Sequence, residues 1–134
     1  MEVPKLFHPL LFSFFPTFYV YSQNIHVLIP TELFLPLLVI SGGTVAGFFI
    51  LEKILKNKIK VALILTLFLV LFFSYGHIFH LLSENATESF EIGHEYFLIP
   101  FLVLVVFGTY YIVKSKRRFD NATTILNVIG IVLL

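Results

Sequence analysis

Four long stretches of this 134-residue chain contain no charged residue, and they constrain the fold more than any other feature. They cover residues 6–21, 33–51, 61–82 and 96–113, and polar but uncharged positions extend the first to residue 29. An α-helix needs about 20 apolar residues to cross about 30 Å of hydrocarbon. Only helices and closed barrels satisfy every backbone hydrogen bond there, and these stretches lack the period-two alternation of a barrel strand. The sequence therefore predicts membrane-spanning helices.

Composition excludes several classes of protein. Hydrophobic residues make up 58% of the chain and charged residues 13%, against about 25% charged residues in soluble domains. A net charge of +1 excludes the broad basic surface that nucleic-acid binding requires. The absence of cysteine excludes disulfide scaffolds, zinc–cysteine sites and iron–sulfur clusters. The alternative of a soluble protein with buried core helices would need polar segments to cover them, and the chain has few. We therefore expect an integral membrane protein with the lipid bilayer as its main partner.

The positions of the lysines and arginines orient these helices. Residues 52–60 and 114–120 carry four cations each, whereas residues 22–32 and 83–95 carry none. Short basic loops remain in the cytoplasm. The alternation predicts a multi-pass protein of the plasma membrane in which loops 52–60 and 114–120 and the N-terminus are cytoplasmic.

The last apolar stretch is shorter than the others. Residues 122–134 would form a helix of about 20 Å, less than the thickness of the hydrocarbon. We expect an incomplete fifth span and a chain that continues beyond it, with a short terminating or re-entrant helix as the alternative. The predicted fold is all-α, a single polytopic membrane domain over 1–134, with four full spans and a partial fifth over about 6–29, 33–51, 61–82, 96–113 and 122–134.

Small residues form a stripe within the second predicted span. Gly43 and Gly47 make a G-x-x-x-G pattern, which lets the backbone of another helix approach closely. The partner helix can belong to the same chain or to a second copy. Packing within the chain is favoured because neighbouring helices are available.

Histidines gather near the side predicted to face outward. His77 and His80 are three residues apart and share one helical face, and His94 lies in the following outer loop. Neutral imidazoles together with carboxylates suit Zn²⁺, so these three histidines are candidate metal ligands. Hydrogen bonding to serine, tyrosine or lipid headgroups is the alternative role. No catalytic arrangement and no cofactor-binding motif are found in this segment.

Several short stretches resemble a known group of membrane proteins. The sequence His8-Pro-Leu-Leu-Phe12 with Pro16, and Tyr21-Ser-Gln-Asn-Ile25, resembles the opening of prokaryotic membrane-anchored proteins of the sulfatase/alkaline-phosphatase superfamily. Stretches 72–77 and 125–129 are similar to later parts of the same membrane region.

The resemblance implies a function for the helical region. In that group it precedes an outward-facing hydrolase or transferase domain, which binds divalent metal through Asp and His and acts on sulfate or phosphate esters. None of those catalytic motifs occurs here, so no catalytic residue is carried over. The function expected is that of a membrane anchor for such an extracytoplasmic domain. The alternatives are a separate small membrane protein that binds partners through the Gly43/Gly47 face, and a metal-binding membrane protein that uses the outer histidines.

Overall fold

The computed structural model describes residues 5–84 and 94–134, and every regular element in these ranges is helical. The prediction of an all-helical chain is therefore confirmed for the described residues. A short 3-10 turn over Pro30–Leu33 leads into the second of five α-helices. The helices are α1 (His8–Gln23), α2 (Phe34–Leu55), α3 (Lys58–Glu84), α4 (His94–Lys114) and α5 (Asp120–Leu133).

Two helical segments are long and apolar enough to cross a membrane. They are Pro30–Leu55, which includes α2, and Lys58–Phe79 within α3. Two further segments, Leu98–Lys114 and Asp120–Leu133, are apolar but shorter. Helix α1 has 16 residues and is therefore about 24 Å long. The four full spans remain a prediction beyond these two helices.

The first helix is shorter than the predicted 6–29 and ends at Gln23. The cause is Asn24, whose side-chain amide donates a hydrogen bond to the carbonyl of Val20 at 2.8 Å. Its backbone carbonyl accepts hydrogen bonds from Val27 and Leu28 at 2.9 Å each, which closes a turn. Asparagine competes with the helix through such local bonds. The chain then reaches α2 through the 3-10 turn.

The connection between α2 and α3 is very short. Helix α2 ends where Lys56 adopts a left-handed conformation with φ of 50°. Asn57 then caps the start of α3, because its side-chain oxygen accepts a hydrogen bond from the backbone N–H of Lys60 at 3.1 Å. Such a short connection makes α2 and α3 antiparallel neighbours.

Helix α3 lies at the centre of the bundle. It packs against α1, α2 and α4, and α1 in turn packs against α2, α3 and α5. In the described part of the chain, the buried alanine, valine, leucine and isoleucine side chains all belong to α3, at Val61, Ala62, Leu63, Ile64, Leu65 and Leu69. In contrast, only 6% of the apolar window in α2 is buried. The second helix is thus both strongly apolar and exposed.

One end of the bundle carries most of the positive charge. Lys60 near the start of α3 donates a hydrogen bond to Val113 near the end of α4, and short connections join α2 to α3 and α4 to α5. The starts of α3 and α5 and the ends of α2 and α4 therefore lie together. We call this the cationic end, because eight of the nine lysines and arginines lie in or beside these termini. The ninth, Lys5, precedes α1, whose first residue bonds Thr66 and Asn127 deeper in the bundle.

Candidate functional site

The histidines predicted to bind metal have different neighbours. His77 makes an edge-on contact with the ring of Tyr19 on α1, with ring centroids 5.5 Å apart. His94 instead stacks on Phe79 at 3.9 Å, and its Nδ1 lies 3.1 Å from the hydroxyl of Tyr75. The side chain of His80 and most of loop 83–95 lie outside the described residues. Within the described ranges, no group of three or more His, Asp or Glu side chains is placed to hold a metal ion.

The two glycines of the G-x-x-x-G pattern also differ in their surroundings. A Cβ placed on Gly47 would lie 3.4 Å from Leu65 Cδ2 of α3, an ordinary packing contact within the chain. A Cβ placed on Gly43 would meet no atom within 4 Å. The stripe therefore contacts α3 at Gly47 and is open at Gly43.

A pair of buried polar side chains joins α1 to α3. His8 Nδ1 lies 2.6 Å from Thr66 Oγ1, and His8 is fully buried. A hydroxyl within hydrogen-bond distance of an imidazole is also the geometry of an activated nucleophile. However, Thr66 is only 2% exposed, so no substrate reaches it. The pair thus acts as an interhelical hydrogen bond, of the kind that joins helices inside membranes.

Asn127, a residue of α5, forms hydrogen bonds with the start of α1. Its side-chain oxygen accepts hydrogen bonds from the backbone N–H groups of Phe7 at 3.1 Å and His8 at 2.8 Å. Its amide donates a hydrogen bond to the carbonyl of Lys5 at 2.6 Å. The first N–H groups of a helix have no partner within the helix, and a side-chain oxygen normally satisfies them from the preceding residue. Here the cap comes from a residue that is 119 positions later than His8.

These polar contacts were missed by sequence reasoning, which singled out charged and metal-ligating residues. The signal available was the presence of His8, Thr66 and Asn127 inside otherwise apolar stretches. Polar groups in hydrocarbon need partners, so their presence predicts an interhelical contact. Their pairing was not predictable, since no local spacing connects residues so far apart in the chain.

An apolar cleft lies between α1, α2 and α3, away from the cationic end. It encloses about 600 Å³ and is lined by residues that include Phe12, Ile40, Val70 and Phe73. Thr17 also lines it, and the Thr17 hydroxyl is buried without a hydrogen-bond partner among the described residues. Most of its lining is apolar, so the cleft is suited to apolar groups.

A second cavity, of about 550 Å³, lies at the cationic end between the start of α3 and the α4–α5 connection. We call it the basic basin. Its lining consists of Asn57, Ile59, Lys60, Val113, Lys114, Ser115, Lys116, Arg117, Arg118, Phe119 and Asp120.

The Lys60 ammonium fixes one wall of the basic basin. It donates hydrogen bonds to the carbonyl oxygens of Val113 at 2.7 Å and Ser115 at 2.8 Å. The last carbonyls of a helix have no intrahelical partner and carry the negative end of its dipole. Lys60 therefore caps α4 and attaches it to α3. The sequence predicts a loop at this lysine, whereas the structure places it in the first turn of α3.

The other charges of the basic basin are only partly compensated. Arg118 forms an ion pair with Asp120 at 3.2 Å, and the Lys114 ammonium lies 5.8 Å from the centre of the Tyr110 ring. The side chains of Lys116 and Arg117 have no ion pair with the described part of the chain. The geometry therefore provides a concave, positively charged surface that can bind an anion.

Comparison with known proteins identifies no relative of the chain. No protein-family model matches the sequence, and no curated protein or solved structure is significantly similar to it.

Proposed function

We propose that the chain is a multi-pass membrane domain that anchors an extracytoplasmic enzyme domain of the sulfatase type. The observation that carries the membrane part of this proposal is the surface of α2. Its apolar window is only 6% buried, whereas an equally apolar helix in the core of a soluble protein would be covered by its neighbours. Lipid is the medium in which such a surface is stable.

The distribution of charge supports an orientation. Eight of the nine cations lie at the cationic end and the ninth precedes α1, and basic termini of this kind remain in the cytoplasm. Helices α1 to α4 then cross the bilayer in alternating directions, with residue 26 on the outer side and residue 56 on the inner side. The anchoring role rests on the resemblance of stretches 8–25 and 72–77 to membrane-anchored sulfatase-like proteins.

Single cysteines test the orientation, and the chain offers a clean background because it has no native cysteine. We expect His26→Cys to react with a membrane-impermeant maleimide in intact cells. Lys56→Cys is expected to react only after the membrane is permeabilised, because it would lie in the cytoplasm. Lys116→Cys is the matched second inner site. Equal labelling of His26→Cys and Lys56→Cys in intact cells would contradict the proposed topology.

The gene tests the anchoring role. We expect the reading frame to continue after the codon for Leu134 into a soluble domain with metal-ligating Asp and His residues. Sequencing of the locus and mass measurement of the native protein give the result. A stop codon at that position, with a mature protein of 15.4 kDa, would remove the anchoring role while leaving the topology intact.

A further inference from the structure

We propose that the basic basin binds the phosphate group of an anionic phospholipid. The inference rests on the proposed membrane placement, which brings the cationic end to the level of the lipid headgroups. Basic pockets between helices on the cytoplasmic side of a membrane are suited to such headgroups. The basin combines positive charge, available hydrogen-bond donors and an adjacent apolar surface.

The lining of the basin has an excess of positive charge. Five cations line the basin and Asp120 is its single carboxylate. That carboxylate is already paired with Arg118. Lys114, Lys116 and Arg117 therefore share the cavity without an acidic partner from the described residues. A bound anion relieves their mutual repulsion, and this favours a ligand with at least one negative charge.

The basin also has hydrogen-bond donors available for a phosphate group. An ammonium group has three N–H donors, and Lys60 uses two of them on α4 carbonyls, so that one remains. Arg117 has a planar guanidinium that can bind two phosphate oxygens at once. Phe119 and Asp120, which begin α5, also line the basin, and the positive end of the α5 dipole favours an anion there.

The exposed apolar surface beside the basin favours a lipid over a free ion. Val113 lines the basin and is itself 39% exposed, and the neighbouring rings of Tyr110 and Tyr111 are more than half exposed. The basin thus opens beside the apolar surface of α4. A phospholipid with its phosphate in the basin would place its acyl chains along that apolar surface. Free phosphate has no apolar group that could contact it.

The test measures stabilisation of the full chain in neutral detergent by short-chain ligands. The probes are dihexanoylphosphatidylglycerol, dihexanoylphosphatidylcholine and inorganic phosphate, each titrated while the thermal midpoint is followed by circular dichroism. The titrations are carried out at near-physiological salt, which screens the attraction between the ligand and charges outside the basin. We expect phosphatidylglycerol to raise the midpoint at concentrations about tenfold lower than either other probe, because it combines a net negative charge with apolar chains.

The double variant Lys116→Gln/Arg117→Gln removes two cations whose side chains make no ion pair in the described structure. We expect it to raise the half-saturating concentration of phosphatidylglycerol about 25-fold, because each cation contributes a factor of about five. Lys53→Gln/Lys56→Asn is the matched control, because it removes two cations from the same end that do not line the basin. It is expected to change that concentration about twofold, and helix content by circular dichroism verifies that both variants fold.

Three outcomes would overturn the proposal. Equal losses in the two double variants would indicate diffuse attraction to the cationic end. Equal responses to phosphatidylglycerol and phosphatidylcholine would show that the anionic headgroup is not recognised. An equal response to inorganic phosphate would assign the basin to a free ion. None of these results alters the cysteine labelling, so failure here is distinguishable from failure of the proposed membrane topology.

Discussion

Replacement of Asn127 with leucine is expected to lower the free energy of unfolding by about 2–4 kcal/mol. It removes three hydrogen bonds, two of which come from N–H groups at the start of α1 that have no partner within the helix. Reversible unfolding in mixed detergent micelles measures the effect. In addition, the backbone amides of Phe7 and His8 are expected to exchange hydrogen faster in the variant.

Two variants make the result specific to the cap. Asn127→Asp retains an oxygen acceptor near the helix N-terminus and loses only the bond to the Lys5 carbonyl, so we expect a loss of about 1 kcal/mol. Asn121→Ala alters an exposed asparagine of the same helix and is expected to be close to neutral. If Asn127→Leu is as stable as Asn121→Ala, then Asn127 does not hold α1.

Replacement of Gly130 with valine is expected to separate α5 from α1. A Cβ placed on Gly130 would lie 2.8 Å from Leu11 Cβ and 3.0 Å from Leu11 Cδ1. A Cβ atom is fixed to the backbone, so Leu11 cannot move aside by changing its rotamer, and the two helices must shift apart. Overpacking of this kind costs about 1–3 kcal/mol, measured by the same unfolding assay.

The chain provides two controls for this effect. Gly42→Val places a side chain where no atom lies within 4 Å, so stability should be nearly unchanged. Gly108→Ala meets Leu67 Cδ2 at 2.5 Å, but this atom is the mobile end of a side chain and can move. We expect Gly108→Ala to destabilise less than Gly130→Val. Equal stability of the Gly42 and Gly130 variants would show that α1 and α5 do not approach closely.

The uncharged stretches predicted that the chain is helical, and they predicted which residues form the middle of each long helix. The charge-free runs 33–51 and 61–82 fall within the helical segments Pro30–Leu55 and Lys58–Glu84, because charged residues flank the apolar part of each segment. The end of the first helix was not predicted. It is set by Asn24, whose hydrogen bonds to Val20, Val27 and Leu28 favour a turn over a continued helix.

Helix packing could not be predicted from the sequence. Apolar residues occupy all sides of α2 and α3, so periodicity distinguishes no packing face. The contacts that fix the bundle join residues far apart in the chain, such as His8 with Thr66 and Lys60 with Val113. The basic basin could not be predicted either. The sequence gives the positions of the cations along the chain, but it does not show that they surround one cavity.

The cap that Asn127 provides for α1 has a consequence for biogenesis. A ribosome completes α1 long before it adds α5. In the membrane placement that we propose, the first helix therefore enters the translocon with its leading N–H groups uncapped, and water or headgroup oxygens satisfy them until α5 arrives. Insertion and packing of α1 are then separate events, as expected for helices that are first placed in lipid and later packed together. A nascent chain released before residue 127 would contain α1 to α4 and lack the hydrogen bonds that cap the first of them.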